Sequence, residues 1–181
     1  MKKLLILSLV CVLFIQCNSN QGYVIKKSQV GLVSATTKVS ELDKIFTKDS
    51  LLKPEYIENQ SKYFSEDYMV FAKNGDHLLT VKIENPTDST SNIQSVQIFS
   101  GLYKTDRQIS VDSYFKDLKE NYEIGKVEST ITSASVNVKD LNASFIIPNK
   151  DLGYPEFSTN KIMADQIPDN AKFRYITVWF N

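Results

Sequence analysis

Beyond residue 17 the chain has no cysteine, and its whole length holds a single histidine, His77. The first absence excludes a structural disulfide, a thiolate zinc cluster and a thiol nucleophile from the bulk of the protein. The second excludes an HExxH helix and any two-histidine metal centre. Glycine is scarce too, with six in all, and no phosphate-cradling loop, G-x-G-x-x-G or G-x-S-x-G elbow occurs. Charge of one sign is not in excess: 21 basic side chains face 21 acidic ones. The densest basic pair is Lys26-Lys27, which a solvated strand end explains, so the footprint of a nucleic-acid binder is missing. No cofactor, no metal and no nucleic-acid partner are expected.

What is present is concentrated first at the N-terminus. Lys2 and Lys3 precede Leu4 to Ile15, twelve residues without a charge. A basic start followed by an apolar run of that length is the pattern of an export signal. A spanning helix needs about 20 apolar residues, so this run falls short of a comfortable membrane anchor. The A-x-A pattern of ordinary signal cleavage is absent, since the first alanine is Ala35. Cys11 would leave with the signal.

Cys17 stands where a signal peptidase would cut, preceded by Leu13, Phe14, Ile15 and Gln16. This stretch resembles the lipobox of bacterial lipoproteins, departing from it at Gln16, where that family carries a small residue. The resemblance implies that residues 1–16 are a signal peptide and that Cys17 becomes the first mature residue and carries the lipid. It further implies residence in the cell envelope, bound to the membrane through the lipid. Residue 19 is Ser rather than Asp, so the outer membrane facing the periplasm is implied in a cell with two membranes. Acyl chains on Cys17 would bury CH₂ groups at about 0.8 kcal/mol each, and several chains anchor stably where one does not. The polar segment that follows, within residues 17–24, is composed as a flexible tether.

Residues 25–181 read as an α+β domain, an antiparallel sheet with few short helices. Tyr23 to Val33 is rich in β-formers. Val39, Leu42 and Phe46 recur at helical spacing, with Thr37 in place as a cap. Asn74-Gly75 lies between two strand-like runs and predicts a type I′ hairpin pairing Phe71 with Leu78 and Val70 with Leu79. A third strand is expected near Ile93 to Phe99. The pattern then restarts: Phe115, Leu118 and Tyr122 share a helical face behind Ser113, and strands are expected over Ser129–Val138, Ala143–Ile147 and Phe173–Phe180. Aligning Thr37 to Leu42 with Ser113 to Leu118 matches cap, apolar, acidic and apolar positions in order. Two tandem helix-then-sheet units follow, with halves 25–100 and 101–181. In element order the domain looks a little like the tandem α/β repeats of beta-lactamase-inhibitor-type proteins and small outer-membrane assembly lipoproteins. Those folds are binding modules, and the likeness implies binding here.

Candidate chemistry is sparse. Asp76 and His77 are adjacent on a strand and so point to opposite faces, which argues against an acid-oriented base. Carboxylate pairs occur at Glu66-Asp67, Glu55 with Glu58, and Asp165 with Asp169; an envelope hydrolase using such pairs is the alternative function. The loop Asn85 to Asn92 is rich in oxygen donors but lacks the spacing of a calcium loop. Aromatic residues gather at Tyr56, Tyr63, Phe64 and Tyr68, and again at Tyr154, Phe157, Tyr175, Trp179 and Phe180. Alternating aromatics on a strand ordinarily face a core. The irregular segment 148–169 is long for a simple connection, and within it Tyr154 and Phe157 flank Pro155 as the candidate binding residues. The chain thus reads as a lipid-anchored envelope protein whose domain binds a protein or an envelope polymer without catalysis. Replacing Cys17 with Ala is expected to abolish incorporation of radiolabelled fatty acid and to move the protein from the detergent phase to the aqueous phase. A Cys17→Ala protein still labelled and still in the detergent phase would refute lipidation.

Overall fold

The computed structural model describes residues 21–57, 62–85 and 88–180. A 3-10 turn, Gln21–Tyr23, leads into three short strands, β1 (Val24–Lys26), β2 (Gln29–Val30) and β3 (Val33–Ser34). A second 3-10 turn, Val39–Glu41, runs into α1 (Leu42–Ile45). There follow β4 (Ser50–Leu52), β5 (Glu55–Ile57), β6 (Lys62–Ser65), β7 (Tyr68–Phe71), β8 (His77–Ile83), β9 (Ile93–Ile98) and β10 (Lys104–Thr105). After these come α2 (Phe115–Asn121), β11 (Val127–Ser129), β12 (Ser133–Val138), β13 (Ala143–Pro148) and β14 (Tyr175–Trp179), with 3-10 turns at Lys139–Leu141, Asn149–Leu152 and Ala164–Gln166. Among the described residues no helix is long and apolar enough to cross a membrane.

Eight strands form one continuous antiparallel sheet in the order β11-β12-β13-β14-β9-β8-β7-β4. A small sheet, β10-β1-β2-β3, is antiparallel except for the parallel pair of β1 with β10, and β5 and β6 form a separate ribbon. The fold is α+β, as the order of elements predicts. Each half of the chain supplies one helix and one run of four strands to the large sheet. The two runs meet at β9 and β14, where Ile98 pairs with Ile176, Gln97 with Thr177 and Val96 with Val178.

The two helices begin alike, and local chemistry explains why. Val39, Leu42 and Phe46 are buried, as are Phe115, Leu118 and Tyr122, each 76 positions later. The backbone N–H of Lys38 donates to Glu41 Oε2 at 2.7 Å, and that of Tyr114 donates to Asp117 Oδ2 at 2.8 Å. An acidic side chain three residues inside each helix therefore satisfies a donor at its start. Thr37 and Ser113, expected as caps, stand one residue too early for that task. Their hydroxyls instead accept the backbone N–H of Ser34 (3.0 Å) and Ser110 (3.1 Å), tightening the turn that precedes each helix. Each helix start is also tied to the segment entering the last strand of its own run. Val39 and Ser40 donate to the carbonyls of Ser91 and Ser89, and Phe115 and Lys116 donate to those of Ala171 and Asp169. These matched bonds are what repeats along the chain; the residues making them mostly differ.

Both helices bury their apolar side chains in the cluster that contains Leu79, Val81, Val96, Ile98, Ile176 and Val178 from the large sheet. Phe145 and Phe173 pack edge-on within it, ring centroids 5.0 Å apart. The small sheet adds Ile25, Val30 and Val33 to the same core.

Several local expectations are revised. The Asn74-Gly75 hairpin exists, but Gly75 alone has positive φ, +91°, and its N–H bonds to Ala72 O at 2.9 Å. That is a type I turn followed by a left-handed glycine, which inserts a bulge. Val70 still pairs with Leu79, whereas Phe71 lies opposite His77 rather than Leu78. The stretch Ser129–Val138 is two strands, because Thr130 folds back onto Ser133 through its N–H (2.7 Å) and its hydroxyl (2.9 Å). Strands β4, β5, β6 and β10 leave no signature in the sequence; at two to four residues they are too short to show a period.

The seam between the runs sets a stability test. Ile98 is fully buried and Ile131 is 61% exposed. Ile98→Ala is expected to cost about 2–5 kcal/mol in urea unfolding, against at most about 0.5 kcal/mol for Ile131→Ala. Because one sheet and one core span both halves, a single cooperative transition is expected; two transitions would show that the halves unfold independently.

Candidate functional site

Strand residues alternate between faces, and the register of the large sheet sorts them cleanly. Leu79, Val81, Ile98, Val96, Ile176 and Val178 point into the core. Their neighbours Thr80, Lys82, Gln97, Ser95, Thr177 and Trp179 therefore lie on the opposite face, away from the helices. Across that face the pairs Thr80–Gln97, Gln97–Thr177, Thr177–Ser144 and Ser144–Asn137 are in register and make one polar stripe over five strands. Thr80, Ser144 and Thr177 are buried between their neighbours, while Gln97 and Asn137 stand half-buried above them.

At one end of the face the aromatic rings form a ladder. Phe71 stacks on His77 at 4.9 Å, His77 on Phe99 at 4.2 Å, and Phe99 meets Tyr175 at 5.3 Å. All four side chains are half-buried, so part of each ring remains accessible. The hairpin bulge sets Phe71 opposite His77 and so starts this ladder. His77 Nε2 lies 3.0 Å from both Leu79 O and Thr80 Oγ1, which fixes the imidazole between the two phenyl rings. At the other end Trp179, 38% exposed, donates its indole N–H to Ser144 Oγ at 3.2 Å, and Ser144 donates to Asn137 Oδ1 at 2.6 Å. Ser95, in register between Lys82 and Trp179, is fully buried and its hydroxyl has no partner. Lys82 reaches Asp67 at 2.7 Å.

This face combines stacking rings, hydroxyls and carboxamides, the equipment for binding. It offers no pair of free carboxylates. Asp67 is committed to Lys82, and Asp169 is paired with Lys119. Asp165 and Glu66 are exposed, and the side chains of Glu55 and Glu58 lie outside the described residues. Asp88 accepts both the N–H and the hydroxyl of Thr90, bonds that hold its carboxyl below the usual range and close its own loop. Among the described residues no group of three His, Cys, Asp or Glu side chains converges.

The structure separates the residues that the sequence singled out. Tyr154 is half-buried against the core, and its N–H bonds to Asn149 O at 3.0 Å. Phe157 is 69% exposed. Asn149 Nδ2 holds the carbonyls of Ile131 (2.8 Å) and Glu156 (3.1 Å), and Ser158 N–H also bonds to Ile131 O (2.8 Å). The loop is thereby fastened to the turn between β11 and β12, and Phe157 and exposed Ile131 mark that end of the molecule. Tyr175 and Trp179, for which the core was the ordinary expectation, lie on the open face, because Ile176 and Val178 take the core positions of β14. The side chains of Tyr56, Tyr63 and Phe64 lie outside the described residues.

No protein-family model matches the chain, and no curated protein matches it. Among solved structures, the crystal structure of the uncharacterized protein yfeY from Escherichia coli is similar, with a TM-score of 0.54 at 11% identity. The match covers 88% of this chain and 99% of that one. At that identity the likeness establishes a shared fold and nothing about activity.

The Trp179–Ser144–Asn137 chain is open to test, since Trp179 is the sole tryptophan. Ser144→Ala is expected to cost about 1 kcal/mol and to alter the intrinsic fluorescence maximum and acrylamide quenching. An unchanged emission spectrum would show that Ser144 does not hold the indole.

Proposed function

We propose that the protein is a lipid-anchored envelope component, tethered through Cys17, whose domain binds a protein or an envelope polymer without catalysis. The observation that carries the binding part is the open face of the eight-stranded sheet, where the ring ladder and Trp179 bracket a stripe of hydroxyls and carboxamides. Aromatic side chains of this kind add large contact area with few rotatable bonds, and the half-buried carboxamide of Gln97 between them supplies directional bonds to a partner strand, loop or glycan. The anchoring part is supported by the signal-like residues 1–16 and by the lipobox-like residues before Cys17.

Photo-crosslinking in intact envelopes tests the reading. A photoreactive residue in place of Gln97 is expected to capture a defined partner, protein or polymer, that is absent when Phe99 and Trp179 are both replaced by Ala. The double variant should retain a cooperative unfolding transition. If Gln97 captures nothing while a probe at Phe157 captures a partner, the recognition surface is the late loop rather than the sheet.

A further inference from the structure

The two helix corners are built alike and finished differently. At the second, the Tyr122 hydroxyl donates to Asp106 at 2.8 Å, and the Arg107 guanidinium lies 4.4 Å over the Tyr122 ring. Arg107 also donates to the carbonyl of Asn121, so the turn before α2 closes over the end of the helix. At the first corner the matching aromatic is Phe46, which has no hydroxyl, and the turn is Gly31-Leu32. Gly31 has φ +55° and sits so close to Gly22 that a Cβ would fall 2.5 Å from its carbonyl oxygen. Among the described residues no side chain closes this corner, and a groove of about 390 Å³ remains, lined by Tyr23, Leu32, Lys44, Phe46, Lys48 and Tyr103 among others.

The rim of the groove is apolar and cationic. Leu32 is 59% exposed and Tyr23 is 43% exposed, and the Tyr23 ring meets the buried Tyr103 ring edge-on at 5.3 Å. Lys44 and Lys48 are exposed and make no ion pair among the described residues. Among the described residues, Asp49 is the one acidic side chain on the groove wall.

We propose that this groove is a membrane-docking face, seated on an anionic bilayer with Tyr23 and Leu32 in the headgroup region and Lys44 and Lys48 against lipid phosphates. The inference rests on the reading of Cys17 as the lipid anchor. Tyr23 follows Cys17 by six residue steps, a span of at most about 20 Å even fully extended. A domain of this length has a radius of gyration of about 15 Å. An acylated Cys17 therefore holds the face bearing Tyr23 near the headgroups. Tyrosine is favoured at that depth, and lysines within about 10 Å of an anionic surface feel its field. Docking of this face would hold the domain in one orientation, so that the rest of its surface presents to partners in a fixed way.

The test uses the protein purified from host membranes, its intact mass recorded, and reconstituted through its own anchor into vesicles of phosphatidylcholine with or without phosphatidylglycerol. Hydrogen exchange followed by mass spectrometry then reads the peptides covering 22–33 and 42–49. Exchange there is expected to slow in the phosphatidylglycerol vesicles, and the added protection to fall about fivefold for each of Lys44→Glu and Lys48→Glu. Leu32→Asp should reduce protection in both vesicle types. Unchanged exchange in acylated protein overturns the docking and leaves the anchor standing. A mass without acyl chains at Cys17 overturns the anchor, and the docking with it.

Discussion

The antiparallel pairing of β9 with β14 is the constraint on which the rest of the structure depends. These are the last strands of the two runs, and each run on its own ends in an unpaired edge there. Joining them removes two edges and sets Ile98 beside Ile176 and Val96 beside Val178 at the middle of a shared core. An antiparallel pair relates its strands by a local twofold axis through the sheet, so both helices stay on one side of it. Leu79, Val81, Val96, Ile98, Ile176 and Val178 can then face one interior, and the opposite face of their strands carries the ring ladder, Trp179 and the polar stripe.

That opposite face explains both what the sequence revealed and what it concealed. The helices were legible because their evidence is local: Val39, Leu42 and Phe46, and again Phe115, Leu118 and Tyr122, carry the spacing in the residues themselves. The caps were misplaced by one position because the choice lay between two short-range uses of a hydroxyl. Thr37 and Ser113 bond backward to Ser34 and Ser110, and the capping task falls to Glu41 and Asp117. The hairpin was legible for a similar reason, yet its turn type was not. Asn-Gly is compatible with either a two-residue turn or a type I turn with a bulge, and the ladder of His77 with Phe71 and Phe99 goes with the second.

The open face was hidden for a different reason. Which side of a strand is covered depends on pairing between segments far apart in the chain, and Gln97, Thr177 and Ser144 come together only through three register choices. Thr80, Ser95, Ser144 and Thr177 read individually as ordinary polar strand positions. Tyr175 and Trp179 read as core residues because β14 alternates apolar groups on both of its faces. The late loop drew attention by its length, but much of that length serves to fasten segment 149–158 onto the turn between β11 and β12, with Asn149 as the fixed point.

A fold built twice from matched backbone bonds leaves its side chains free to diverge, and the divergence is where function is to be sought. Backbone bonds recur 76 to 80 positions apart because they define each helix corner. The side chains around them need satisfy only size and polarity. Tyr122, Asp106 and Arg107 seal one corner with a hydroxyl, a carboxylate and a guanidinium, a network that would cost stability if any member lost its partner. Phe46, Gly31 and Leu32 make the other corner without such a network, and exposed apolar surface remains. Leaving Leu32 and Tyr23 in water forgoes burial of the kind the second corner achieves, so the open corner is the less stable design for an isolated domain. It becomes the more stable one if something apolar and anionic lies against it, and the five residues between Cys17 and Tyr23 set how far away that surface can be.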